Sequence, residues 1–287
     1  YGTMIIVTFG ALGAVVASLV GAEGAVIGHF IEGFTGIQLD NWQVTYIVGG
    51  CLGLLLLLLR VGTIESTYFE HMEQNKSIQK GNLKILFYNK KNFIKYLHCI
   101  IIGIPIWYVV GLLVMNSKDN FAPLMGIHDI ENGQAVMYTY IGLSVGDLIS
   151  GVLSQWLRSR KKVVGLYLLF TLLLITSFLF FMDGVSKDAY YLMCFLLGTA
   201  TGYWALFVSI AAEQFGTNIR STTANTIPNF VRGSVNLIML SFGLLTALNL
   251  GDAISAYIVG LIFILLALYS LSQLKETFGK DLDYFEN

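Results

Sequence analysis

Two charges lie near the centres of long apolar runs: Asp147 within 135–157 and Arg232 within 222–247. A charge in hydrocarbon costs at least about 2.5–3.5 kcal/mol, so it is kept where it faces a partner or water. Each sits about ten residues from the basic end of its run, roughly 15 Å deep at 1.5 Å per residue, near a membrane midplane. The chemistry open to such a pair is binding. An arginine takes an anionic or polar group of a solute, and an aspartate carries a proton. A static ion pair that fixes two helices is the other reading of the same two residues.

Around Arg232 the run carries Asn225, Asn229 and Asn236, spaced so that all four share one helical face. A polar stripe does not face lipid; it lines a cavity or a hydrogen-bonded helix interface. Pro105 removes a backbone donor from the middle of the run 94–115 and predicts a kink beside Trp107 and Tyr108. Gly202, Tyr203, Trp204 and Phe207 repeat that style in 189–212, and Tyr138 and Tyr140 sit in 135–157. Trp107, Tyr108, Tyr203 and Trp204 are therefore candidate cavity aromatics, with bundle packing or an interfacial belt as the bland alternative.

The elements that must hold these residues are eight apolar runs: 3–22, 42–60, 94–115, 135–157, 163–182, 189–212, 222–247 and 253–273. Each approaches the roughly 20 residues a helix needs to cross hydrocarbon. Of 17 lysines and arginines, all but Lys118, Lys187 and Arg232 fall in or beside alternate connections and the tail, the cytoplasmic side under the positive-inside rule. The expectation is an all-α, multi-pass protein of a plasma or inner membrane, starting and ending at the cytoplasmic face. Hydrophobic residues make up 55% and charged residues 12%, against about 25% charged in soluble domains. The mean hydropathy is +0.70. The basic residues form no stacking platform, which excludes a nucleic-acid partner. Cys51, Cys99 and Cys194 fall in separate runs without metal-ligand spacing, so no metal or cofactor is expected.

The longest polar stretch, 61–93, reads as a cytoplasmic linker with short helices over 65–74 and 83–88. It divides the chain into a helix pair (1–60), a six-helix bundle (94–273) and a tail (274–287). The other connections are short, which predicts antiparallel neighbours in chain order. The six later runs divide into two triplets, 94–182 and 189–273, with Asp147 and Arg232 on the middle helices; inverted repeats around a midplane site are a transporter signature. Glu23, His29, Glu32 and Asp40 are expected on an outer rim, and 116–134 as an acidic outer loop.

Three connections and the tail carry motifs. The run holding Gly146, Asp147 and Gly151 ends in Gln155-Trp156-Leu157-Arg158-Ser159-Arg160-Lys161-Lys162. Between the sixth and seventh runs stands Ala212-Glu213-Gln214-Phe215-Gly216-Thr217-Asn218-Ile219-Arg220. Glu65-Ser66-Thr67 follows the second run, and Lys275-Glu276-Thr277-Phe278-Gly279-Lys280 follows the eighth. In order and spacing these resemble the loops of the major facilitator superfamily. The first is similar to its Gly-Arg-Arg/Lys turn, with Gln155 at the aspartate position and Arg158-Ser159 at the Gly-Arg pair. The second is similar to its Glu-x-Phe-x-Thr-x-x-Arg turn. The last two are similar to sugar-porter endings without their prolines. The resemblance covers helices five to twelve of that family, so the four preceding helices are expected on the rest of a longer protein, and the 287 residues alone are expected to be inactive. It implies a solute transporter, coupled to H+ or Na+, sugar- or organic-ion-porter-like, in which Glu213 pairs with Arg158, Arg160 or Arg220 as a cytoplasmic latch. No nucleotide-binding Gly-x-x-x-x-Gly-Lys motif appears. An intramembrane enzyme would need an HExxH, a GxSxG or a His–Asp cluster, and none is present. A receptor or scaffold on the same fold remains the rival reading.

Overall fold

The computed structural model describes residues 2–22, 24–61 and 84–279. With no water in hydrocarbon to satisfy backbone groups, apolar runs close their hydrogen bonds internally as helices. In chain order these are α1 (Gly2–Ala22), α2 (Gly24–Thr35), α3 (Asn41–Arg60), α4 (Lys84–Tyr88), α5 (Lys90–Trp107), α6 (Asn132–Trp156), α7 (Arg160–Phe180), α8 (Lys187–Thr201), α9 (Trp204–Glu213), α10 (Thr217–Gly233), α11 (Val235–Ala247) and α12 (Asp252–Gln273). α5 runs on as a π-helical segment, Tyr108–Val114. Seven spans are long and apolar enough to cross a membrane, or up to eight with the bent pair at the start of the chain.

The residues expected on an outer rim fall on or beside this bent pair. Most of 23–40 is helix α2, turned 65° from α1. His29 Nδ1 lies 3.4 Å from Glu32 one turn away, and Asp40 caps α3, its backbone N–H donating to Gln43 Oε1 at 2.9 Å. Glu23, the helix expected over 65–74, most of the 61–93 linker and the tail beyond 279 lie outside the described residues. Arg158, in left-handed backbone conformation, turns the chain from α6 into α7.

Packing departs from the expected chain-order neighbours. The most extensive contacts join α6 to α8, α1 to α6 and α5 to α12, with α7 against α8 and α12. The first three of the six later spans thus interleave with the last three. Glycines decide the closest crossing, since helices in lipid associate through close packing more than through hydrophobicity. Gly142 and Gly146 on α6 meet Gly198 and Gly202, four residues apart at the end of α8. A Cβ on Gly142 would strike the Phe195 carbonyl, and one on Gly198 the Thr139 carbonyl. α3 packs little, with 6% of its span buried, and Thr217–Ala247 has 17% buried. The polar stripe on α10 and α11 therefore lies on an open face of the described bundle.

Candidate binding cavity and helix break

The sixth span does not run through. α8 ends at Thr201, Gly202 and Tyr203 interrupt it, and α9 restarts at Trp204. A restarting helix leaves its first N–H groups without intrahelical acceptors. Tyr203, at the N-cap position, offers no side-chain cap. Asp147 supplies one from α6: its Oδ1 accepts the Ala205 N–H at 2.9 Å, and the Trp204 N–H is directed at the same carboxylate. The positive end of a helix dipole suits a carboxylate. Asp147 is fully buried, and its Oδ2 has no hydrogen-bond partner among the described residues. Tyr167 of α7 braces the spot, its hydroxyl donating to the Gly146 carbonyl at 3.0 Å.

The restart fixes Trp204, and Trp204 forms one wall of a cavity of about 390 Å³. Ile106 and Trp107 of α5, with Val110 of the π segment, form a second wall; Tyr140 and Leu143 of α6 form a third. Gly10, Ala11 and Ala14 of α1 close the side, and Arg232 of α10 supplies the charge. The Arg232 guanidinium lies 5.2 Å from the Trp204 ring centroid, and its Nη1 donates to Asn229 Oδ1 at 3.1 Å.

Asp147 and Arg232 form no ion pair; the Trp204 end of α9 joins them instead. Trp107, Trp204 and Arg232 reach the cavity, whereas Tyr108 and Tyr203 do not. The Tyr108 hydroxyl donates to the Ala256 carbonyl at 2.6 Å and that of Tyr203 to the Ile102 carbonyl at 3.0 Å, both fully buried. These two tyrosines are packing anchors, because each lies one residue from the tryptophan that faces the cavity and so points the other way around the helix. Asn229 also lines a shallow cleft with Phe230, Gly233 and Ser234. Asn225 donates to the Ser221 carbonyl and Asn236 stays exposed, so neither reaches the cavity.

At the basic end, Arg160 pairs with Glu213, both largely buried. Arg220 Nε donates to the Phe215 carbonyl at 3.3 Å, and Arg158 makes no ion pair among the described residues. Glu276, not foreseen as a site residue, accepts hydrogen bonds from the Ser159 hydroxyl and from the backbone N–H groups of Arg160, Lys161, Thr277 and Phe278. Burial pushes its carboxyl up, but those donors outweigh it and hold it below the ordinary glutamate range. Among the described residues no three His, Cys, Asp or Glu side chains converge as metal ligands.

No curated protein matches the chain. The sequence profile of the Major Facilitator Superfamily matches residues 3–238. An all-helical bundle of seven or eight candidate membrane spans, with that match over most of its length, places the chain in the major facilitator superfamily, a family of membrane transporters of small solutes.

Proposed function

We propose that the protein is a secondary active transporter that moves a small solute by alternating access, driven by H+ or Na+. Arg232 binds the solute with Trp107 and Trp204, and Asp147 is the coupling group. α1 and α3 belong to one half of the transporter and α5–α12 to the other, with the basic connections cytoplasmic and Arg160–Glu213 as the latch. The observation that carries this reading is the cavity, where α1 meets four helices of the later bundle around one arginine. The latch pair is largely buried, so each partner relies on the other for compensation and the pair can break only if the opening of the cycle lets water reach both charges. The bond from Asp147 to the Ala205 N–H favours a second reading, in which Asp147 is purely structural and the protein a receptor or scaffold.

The test is uptake of a mixed solute library into liposomes under an imposed proton or sodium gradient. It is run for the 287 residues alone and within the longer chain the sequence leads us to expect. Uptake of one solute class by the longer chain, lost in Asp147→Asn and Arg232→Gln while both variants fold, is the expected result. Unchanged uptake in both variants would make the two charges structural, and uptake of nothing would leave the receptor reading.

A further inference from the structure

Among the described residues the cavity wall has one charge. Arg232 spends one donor on Asn229 Oδ1 and lays one face on Trp204, and no carboxylate approaches it among the described residues. Asp147, the other charge near the middle of the bundle, is committed to the N-terminus of α9. A guanidinium carries five N–H donors in a planar fork matched to a carboxylate, so most of its edge is available. Among the described residues the remaining lining is aromatic or aliphatic: Trp107, Tyr140 and Trp204, with Ile106, Val110 and Leu143. Gly10, Ala11 and Ala14 of α1 are too small to add a polar side chain to it.

Such a wall discriminates. A polyol entering it would leave several hydroxyls without partners, each at a desolvation cost. A cation would meet Arg232 with no compensating acid. A dianion would find one guanidinium for two charges. A body with one carboxylate and an apolar remainder satisfies both parts of the wall at once. The volume, about 390 Å³, falls near the lower end of small-molecule sites, roughly 300–1,000 Å³.

We propose that the cavity is a binding site for an organic monoanion, its carboxylate on Arg232 and its apolar or aromatic body against Trp107, Tyr140 and Trp204. This rests on the transporter reading and narrows it away from sugars, towards which the terminal motifs lean. The probes are benzoate, benzamide, benzylammonium and glucose, added to the purified 287-residue protein in detergent. Trp42→Phe and Trp156→Phe remove the two exposed tryptophans outside the cavity, so the fluorescence of Trp107 and Trp204 reports occupancy.

Saturable quenching by benzoate is expected at a Kd of about 1 mM or tighter, at least about tenfold tighter than benzamide, with no saturation by benzylammonium or glucose. Arg232→Gln weakens benzoate by about tenfold or more, and Arg232→Lys, which keeps the charge without the fork, falls between. Benzamide binding as tightly as benzoate, glucose saturating the signal, benzoate indifferent to Arg232→Gln in a variant of unchanged melting temperature, or no probe binding at all would each overturn the proposal. Gradient-driven uptake separates the two claims. Arg232-dependent benzoate binding without uptake in the longer chain defeats the transporter and leaves the anion site. Arg232-dependent uptake of a neutral or cationic solute defeats the anion site and leaves the transporter.

Discussion

Of the described spans that lose regular helix partway along, two present a tryptophan to the same cavity. In Lys90–Val114 the change comes after Pro105. Trp107 faces the cavity, Tyr108 anchors to the Ala256 carbonyl, and the chain continues as π-helix. In Lys187–Glu213 it comes at Gly202. Tyr203 anchors to the Ile102 carbonyl, Trp204 faces the cavity, and the chain restarts as a new helix. The aromatic pairs mirror one another, but the backbone solutions differ. A π-helix satisfies its own donors with wider turns. A restart cannot, and borrows Asp147 from α6. One interruption is self-contained, and the other works only while two helices stay in register. The second is the natural place for a ligand or a proton to be felt across the bundle.

The contrast is broken most forcefully at the glycines. A Cβ at Gly202 would strike the backbone of Gly146 and Asp147, which cannot retreat without separating α6 from α8. At Gly111, in the π segment, a Cβ would meet the Val235 side chain at 2.8 Å, which can rotate. Gly202→Ala is expected to abolish the monodisperse folded peak in detergent size-exclusion chromatography. Gly111→Ala should cost about 1–3 kcal/mol, as for overpacking in a dense core, and keep the peak. Wild-type behaviour of Gly202→Ala would mean the helices are not held at backbone contact.

Next in size is the cap. Asp147→Ala leaves the Ala205 N–H buried without an acceptor, a loss of about 1–3 kcal/mol. Asp147→Asn keeps an acceptor oxygen and should retain at least half of that stability in thermal unfolding. It should still lose ion-coupled uptake, since an amide carries no proton. Equal melting temperatures for wild type and Asp147→Ala would remove the difference between the two interruptions.

The eight apolar runs were legible because hydrocarbon demands length and hydropathy, both of which a sequence displays. So were Asp147 and Arg232, charges where few are tolerated, and Pro105, which announces a missing donor. What they touch was not. A search for opposite charges pairs Asp147 with Arg232, whereas its partner is a backbone N–H, present at every residue and therefore silent in the sequence. Gly202 looks like the other 29 glycines until α6 is laid against it. Gly10, Ala11 and Ala14 bound the cavity by being small and carry no chemical mark beyond that. Glu276 escaped for the same reason as the partner of Asp147: most of its donors are main-chain groups. Chain-order packing accounts for lesser contacts, such as α7 against α8, but not for the largest, because short connections fix helix ends, while the glycine faces decide which helices touch along their lengths.

Glu276 gives the smallest effect and the most controlled comparison, because it repeats the Asp147 device where water can compete. It accepts the first N–H groups of α7 from beyond the end of α12, as Asp147 accepts that of α9 from α6. Anions near exposed helix N-termini contribute about 0.3–1 kcal/mol, so Glu276→Gln should lower stability by no more than that at neutral pH. The sign of the pH dependence follows from its lowered pKa. The folded protein favours the ionised carboxyl, so its contribution is complete above the unfolded glutamate value of about 4.3 and is lost as pH falls through the lower folded value. The gap in melting temperature between wild type and Glu276→Gln should stay constant from about pH 7 to 5 and close below about pH 4. A gap that widens on acidification would mean the ionised carboxylate opposes the docking of 274–279. A gap as large as that of Asp147→Ala would mean this cap is as dry as the one in the bundle, and water would then not be what separates the two.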